Sequence, residues 1–165
     1  MFSNKHFVVM VLAIITLPQI ICAVNEYVWG TFNPATISLT NISKQSDVRE
    51  GSSTITLTIS GADPEAVITA DNTTAAQLSN GTDTLVTEYK LTFDGDGTSG
   101  SGGTSMTEYV AYDTFLSDGL HIQQAGGDTN VQVTLHVQAS NRPNEVSDAG
   151  DYTATQTITV TWDGL

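Results

Sequence analysis

The chain has 165 residues, with 5 Lys plus Arg against 18 Asp plus Glu, so its formal charge is -13. That is enough chain for one domain, and the sign is wrong for gripping nucleic-acid phosphates or anionic membrane surfaces, which are held by clustered Lys and Arg. Its 25 Thr and 14 Gly favour strands and turns and exclude an all-α fold.

At the N-terminus, Lys5 and His6 precede an apolar run from Phe7 to Leu17, then Pro18 and the small-residue end Ile21, Cys22, Ala23. This order reads as a secretory signal peptide over residues 1–23, cleaved after Ala23. Phe7 to Ile21 is interrupted by Thr16, Pro18 and Gln19 and falls short of the ~20 apolar residues of a bilayer-spanning helix, so no stable membrane insertion is expected. Cys22 would suit a lipid anchor, but Gln19, Ile20 and Ile21 are not the small residues that precede a modified cysteine. Cleavage leaves residues 24–165 as a single domain with no cysteine. Its stability must then come from backbone ladders and an apolar core rather than disulfides.

Along the remaining chain, Tyr27 to Phe32 and Ala35 to Ile42 read as two short strands around the corner Asn33-Pro34. Lys44 to Ser53 reads as a break. Ile55, Leu57 and Ile59 alternate with Thr54, Thr56, Thr58 and Ser60, the period of a strand with one buried and one wet face. A weaker strand follows at Ala66 to Thr69, and helix is confined to a turn around Thr73 to Leu78 or Tyr112 to Leu116. After a turn at Ser79 to Asp83, Leu85, Tyr89, Leu91 and Phe93 alternate with Val86, Glu88, Lys90 and Thr92. The Gly-rich stretch from Asp94 to Ser105 reads as a surface loop, with weak strands after it at Glu108 to Tyr112 and Leu120 to Ile122. Past a break at Gln124 to Asn130, Val131, Val133, Leu135, Val137 and Ala139 form another alternating set. A polar loop from Ser140 to Gly150 leads to the last segment. There Tyr152, Ala154, Ile158, Val160 and Trp162 share one face against five threonines, with Gln156 the polar exception. The pattern predicts an all-β, immunoglobulin-like two-sheet sandwich of about 7–9 short strands.

Candidate chemistry is sparse. Asp94 and Asp96 invite calcium, but an EF-hand loop from Asp94 would place Ser99 where glycine is needed and Ser105 where a bidentate acid is needed, so Asp-Gly is read as turn chemistry. His121 and His136 alternate with apolar neighbours, as solvated strand residues do, and no nucleophile with a base partner is visible. No catalytic residue, metal or cofactor is therefore expected, and the chain is read as not an enzyme. Tyr109 and Tyr112 are the aromatic pair left outside the buried faces and would suit a monomeric extracellular module that stacks on carbohydrate. Sequons at Asn41, Asn72 and Asn80 are a by-product of a Thr-rich composition.

The stretch from Val131 to Trp162 resembles the end of secreted spore coat protein U-like and archaic chaperone-usher pilin domains, in which a Gly-x-Tyr turn leads into a final Thr/Val strand ending in an aromatic residue. The matching positions are Gly150, Tyr152, Ile158, Val160 and Trp162. Leu78 to Gly81 before Tyr89 to Leu91, and Trp29 to Phe32, are similar to upstream parts of the same domains. The resemblance implies a structural subunit of a bacterial fimbria or coat, passing through the periplasm to the cell surface. Its partners would be copies of itself or other pilin-like subunits, with a periplasmic chaperone and an outer-membrane usher. It also implies a sandwich lacking one strand, completed by strand addition. Donor function maps onto Val24 to Phe32, and subunit contact onto the edge carrying Tyr152, Ala154, Ile158, Val160 and Trp162. If Tyr27 to Phe32 is instead the domain's own first strand, little chain is left to donate.

Overall fold

The alternation of apolar and polar residues resolves into two antiparallel sheets. A computed structural model describes residues 26–30, 32–60, 65–94, 97–99, 105–124 and 130–162. Residues 1–23, read as a signal peptide and including Cys22, lie outside them, as does Asp96. Nine strands are present among the described residues: β1 (Glu26–Trp29), β2 (Val48–Ser60), β3 (Glu65–Ala70), β4 (Val86–Phe93), β5 (Gly97–Ser99), β6 (Val110–Ala111), β7 (Leu120–Gln124), β8 (Asn130–Ser140) and β9 (Ile158–Trp162). One sheet runs β1-β2-β8-β4-β6 and the other β5-β7-β3-β9. A 3-10 turn at Thr74–Ala76 falls where a helical turn was expected.

β2, β8 and β4 form the spine of the larger sheet. Their inward series, Ile55, Leu57 and Ile59, then Val131, Val133 and Leu135, then Tyr89 and Leu91, is buried. Ala66 and Ile68 of β3, Leu120 and Ile122 of β7 and Val160 of β9 belong to the same core. Each fully buried aliphatic side chain stabilises by about 1.5–3 kcal/mol. On the outer face, Thr54, Thr134 and Thr92 stand in register across three strands, and the Thr54 and Thr134 hydroxyls meet at 2.9 Å. Phe115 and Leu116 close the core from the turns that follow β6, with Phe115 at 5.4 Å from the Tyr89 ring centroid.

The strand pattern differs from expectation in four places. β2 starts at Val48, inside the stretch read as a break, because its polar half ladders with β8 from Val48↔Ser140 onward. Gly51 sits within it for a steric reason: a Cβ there would lie 2.6 Å from Ile37 Cγ2 and 2.8 Å from Leu39 Cδ2. β5 lies inside the stretch read as a Gly-rich loop and pairs with β7 over Gly97↔Gln124 to Ser99↔Ile122. Ala35 to Ile42 joins neither sheet, and only Ile158–Trp162 of the expected final strand is in a ladder. These last two segments, which lie outside the sheet ladders, define the candidate site.

Candidate functional site

Near one end of β2, β8 and β4, inward residues that are at most 7% exposed face segments outside the strands. Ser53, Leu135, Val137, Ala139, Leu85 and Tyr89 line a groove of about 1190 Å³, walled by residues 34–43 on one side and 146–156 on the other.

The first wall keeps the period of a strand without a partner. Ile37 and Leu39 are half-buried and pack on the core, while Thr36, Ser38 and Thr40 are exposed. Both ends are clamped. Asn33 pairs with Thr54 through N–H···O bonds of 2.9 and 3.3 Å, and the Ser53 hydroxyl donates to the Pro34 carbonyl. At the far end, the Asp47 carboxylate accepts from the Ser43 amide at 2.9 Å, the Lys44 amide at 3.0 Å and Arg49 Nη2 at 3.1 Å. The Ser43 amide is the main reason its carboxyl is held below the usual value. Between the clamps, residues 35–43 make no backbone–backbone hydrogen bond among the described residues.

In the second wall the backbone bonds alternate. Thr153 exchanges N–H···O bonds with Ser79 at 3.0 and 3.1 Å, Thr155 N–H donates to the Ala75 carbonyl at 2.7 Å, and the Asp71 amide donates to the Thr157 carbonyl at 3.1 Å. Successive residues of an extended chain point their amides and carbonyls to opposite sides. Tyr152, Ala154 and Gln156 therefore turn theirs away from the 71–79 segment, and none makes a backbone–backbone bond among the described residues. Beyond them, β9 pairs with β3 on one edge only and is the terminal strand of its sheet. One free edge thus runs from Tyr152 into β9.

Polar ties hold this second wall to the turn before β4. That turn is shaped by Gly81 at φ +89° and by Asn80 Oδ1, which accepts from the Thr82 and Asp83 amides at 2.9 and 2.7 Å. Tyr152 donates its hydroxyl to the Asp148 carbonyl at 2.7 Å and lies 3.4 Å from Asp83 Oδ2, which also accepts the Asp148 amide at 2.9 Å. Hydrogen bonds from the Asp148 and Thr84 amides hold the Asp83 carboxyl below its usual value, and burial together with Asp83 pushes the Tyr152 phenol up. Gln156 donates to Asp71 Oδ1 at 3.1 Å and to the Thr157 carbonyl at 3.1 Å, while its own Oε1 is buried without a partner. On the groove floor, Tyr89 donates to the Ala76 carbonyl at 2.7 Å, and burial, helped by Asp71, pushes its phenol up to about 12.

The five residues expected at a subunit contact divide along this edge. Tyr152 and Ala154 line the groove, half-buried and exposed respectively. Ile158 is half-buried, Val160 is buried opposite Ile68, and Trp162 pairs with Ala66 through its backbone. The inward series of that segment is thus broken at Ala154, because the chain there is tied to the 71–84 segment rather than laid on a sheet. Glu26–Trp29, inside the expected donor stretch, is β1 and pairs with β2 of the same chain. Sequence reading missed the first wall as part of a site; the signal for it was the alternation of Ile37 and Leu39 with Ser38 and Thr40.

The other candidates are dispersed. Asp94 Oδ1 accepts the Gln132 amide at 3.2 Å. His136 sits on the outer face with Nε2 2.9 Å from Thr92 Oγ1, and burial plus Lys90 lowers its pKa. His121 is half-buried on β7, in the other sheet. No cluster of three or more His, Cys, Asp or Glu able to hold a metal occurs among the described residues. Tyr112 is half-buried and packs against the core, and the Lys90 ammonium lies over one face of the half-buried Tyr109 ring at 4.5 Å from its centroid. No protein-family model, curated protein or solved structure matches the chain.

Proposed function

We propose that this chain is a non-enzymatic structural subunit of a bacterial surface fimbria or coat, exported through the periplasm and assembled by strand addition. The observation that carries the reading is the backbone edge of Tyr152, Ala154 and Gln156 beside a groove with an apolar floor, an edge that, like residues 35–42 on the opposite wall, makes no backbone–backbone hydrogen bond among the described residues. Unpaired amides and carbonyls next to apolar surface are what an added strand satisfies: its backbone completes both ladders and its alternate side chains enter the groove. Handling by a periplasmic chaperone and an outer-membrane usher belongs to the same reading, because an exposed edge of this kind must be covered in transit.

Native surface material run on unboiled SDS gels provides the test. A ladder containing this chain that collapses to monomer on boiling supports the reading, since strand-added subunits resist detergent and separate on heating. Monomer alone in both lanes refutes it.

A further inference from the structure

We infer that the groove takes an extended segment of a different protein, apolar at alternate positions and carrying Lys or Arg between them, and not a second copy of this chain. The inference rests on the strand-addition reading and goes beyond it by naming the occupant.

Charge is the first ground. Among the residues lining the groove, Asp148 and Asp151 are acidic and both exposed, and none is Lys or Arg. The whole chain carries -13, so a second copy arrives with the same sign, whereas a cationic segment is attracted. Hydrogen-bonding capacity is the second. The backbone groups of Tyr152, Ala154 and Gln156 border the groove and make no backbone–backbone hydrogen bond among the described residues. An incoming backbone supplies N–H and C=O groups to both walls, and a basic side chain supplies further donors. The third ground is the commitment of the chain's own strands. The stretch from which a donor was expected holds β1, laddered to β2 from Glu26↔Ser60 to Trp29↔Leu57. Wall length sets the size of the occupant: beyond the bend at 34–36, residues 37–43 match an extended segment of ~20 Å at about 3.3 Å per residue.

The test uses the full purified chain and three fluorescently labelled, blocked peptides: KVTVKVTVKV, its acidic counterpart EVTVEVTVEV, and VNEYVWGTFN, the chain's own residues 24–33. Anisotropy titrations at low salt are expected to show the Lys peptide binding roughly tenfold more tightly than the Glu peptide, with the preference fading in 0.5 M NaCl as the charges are screened. The double substitution Asp148→Asn with Asp151→Asn should erase the preference while leaving binding itself in place. Ala154→Pro removes an amide that makes no backbone–backbone hydrogen bond among the described residues, so it should leave the melting temperature unchanged and weaken both peptides at least tenfold.

Equal binding of the Lys and Glu peptides, both lost in Ala154→Pro, overturns the charge inference and leaves strand addition standing. Tighter binding of the 24–33 peptide than of the Lys peptide, or self-assembly of the purified chain into an SDS-resistant ladder, overturns the choice of a foreign partner in the same way. Binding of no peptide, or binding indifferent to Ala154→Pro, removes the strand-addition reading and the inference together.

Discussion

Replacing Gly51 with alanine tests whether the wall formed by residues 34–43 rests on β2 as described. The new methyl group would sit 2.6 Å from Ile37 Cγ2 and 2.8 Å from Leu39 Cδ2. The leucine methyl is the far end of a flexible side chain and can turn aside. The isoleucine Cγ2 is fixed to a branched Cβ, so its backbone must move. Overpacking of this kind costs about 1–3 kcal/mol, against which removing a glycine from a strand interior returns about 0.5–1 kcal/mol. The net expectation is a loss of about 1–2 kcal/mol. At roughly 4 °C per kcal/mol for a domain of this length, calorimetry should register a melting temperature lower by about 4–8 °C. Ile37→Ala supplies the internal control. It removes a half-buried side chain at its own cost, but in the double variant the clash is gone, so the two losses should fall short of additivity by at least about 1 kcal/mol. Additive losses, or a melting temperature for Gly51→Ala at or above that of the parent, would show that the wall does not lie against β2.

Three further expectations follow from the packing and titration of the sandwich. Val160→Asp should cost about 3 kcal/mol or more in urea titrations, because an unpaired charge enters the core opposite Ile68, and the half-buried Ile158→Asp should cost clearly less; equal losses would mean the buried face of β9 is misplaced. Tyr89→Phe should cost about 1–2 kcal/mol by orphaning the Ala76 carbonyl, with backbone exchange at the 3-10 turn rising first, and an unchanged urea midpoint would contradict this. Stability should also fall with acidity in two steps. His136 has a folded pKa below 6.5, so the unfolded chain binds more protons below that value and stability declines as pH drops through that window. The contributions of Asp47 and Asp83 are present above 3.8 and lost as pH falls through their lower folded values. His136→Gln should flatten the first step in a pH series of urea midpoints, and Asp83→Asn should reduce the second; a slope near pH 6 that survives His136→Gln would refute the first assignment.

The two-sheet sandwich was legible because much of its spine is written in plain alternation: Ile55, Leu57 and Ile59 of β2, Tyr89 and Leu91 of β4, and Val131, Val133, Leu135, Val137 and Ala139 of β8 are the buried apolar members of period-two runs, although Ser53 and Thr87 are buried on the same faces. What hid the rest was physical. The first half of β2 carries Arg49, Glu50, Gly51, Ser52 and Ser53, a composition that resembles a turn until Gly51 is seen to admit Ile37 and Leu39. β5 has only Gly97, Thr98 and Ser99, too short and too small to show a period. Phe115 and Leu116 enter the core from turns, where no periodicity marks them. The site was half visible. Tyr152 and Ala154 were picked out on the last alternating run, yet the same alternation over Ala35 to Ile42 gave no sign that its backbone would join no ladder among the described residues. Periodicity reports which side chains face inward. It is silent on whether a neighbouring strand exists.

The way Thr153, Thr155 and Thr157 are each bonded towards the 71–79 segment has a consequence for whatever is laid along the opposite side. Hydrogen-bonding groups are offered there at every second residue only, spaced by about 7 Å, so an arriving chain can dock in one phase and its mirror phase leaves every group facing the wrong way. The wall therefore acts as a ruler with coarse graduations: it discriminates by cadence, and two segments of identical greasiness but opposite beat would not be equivalent to it.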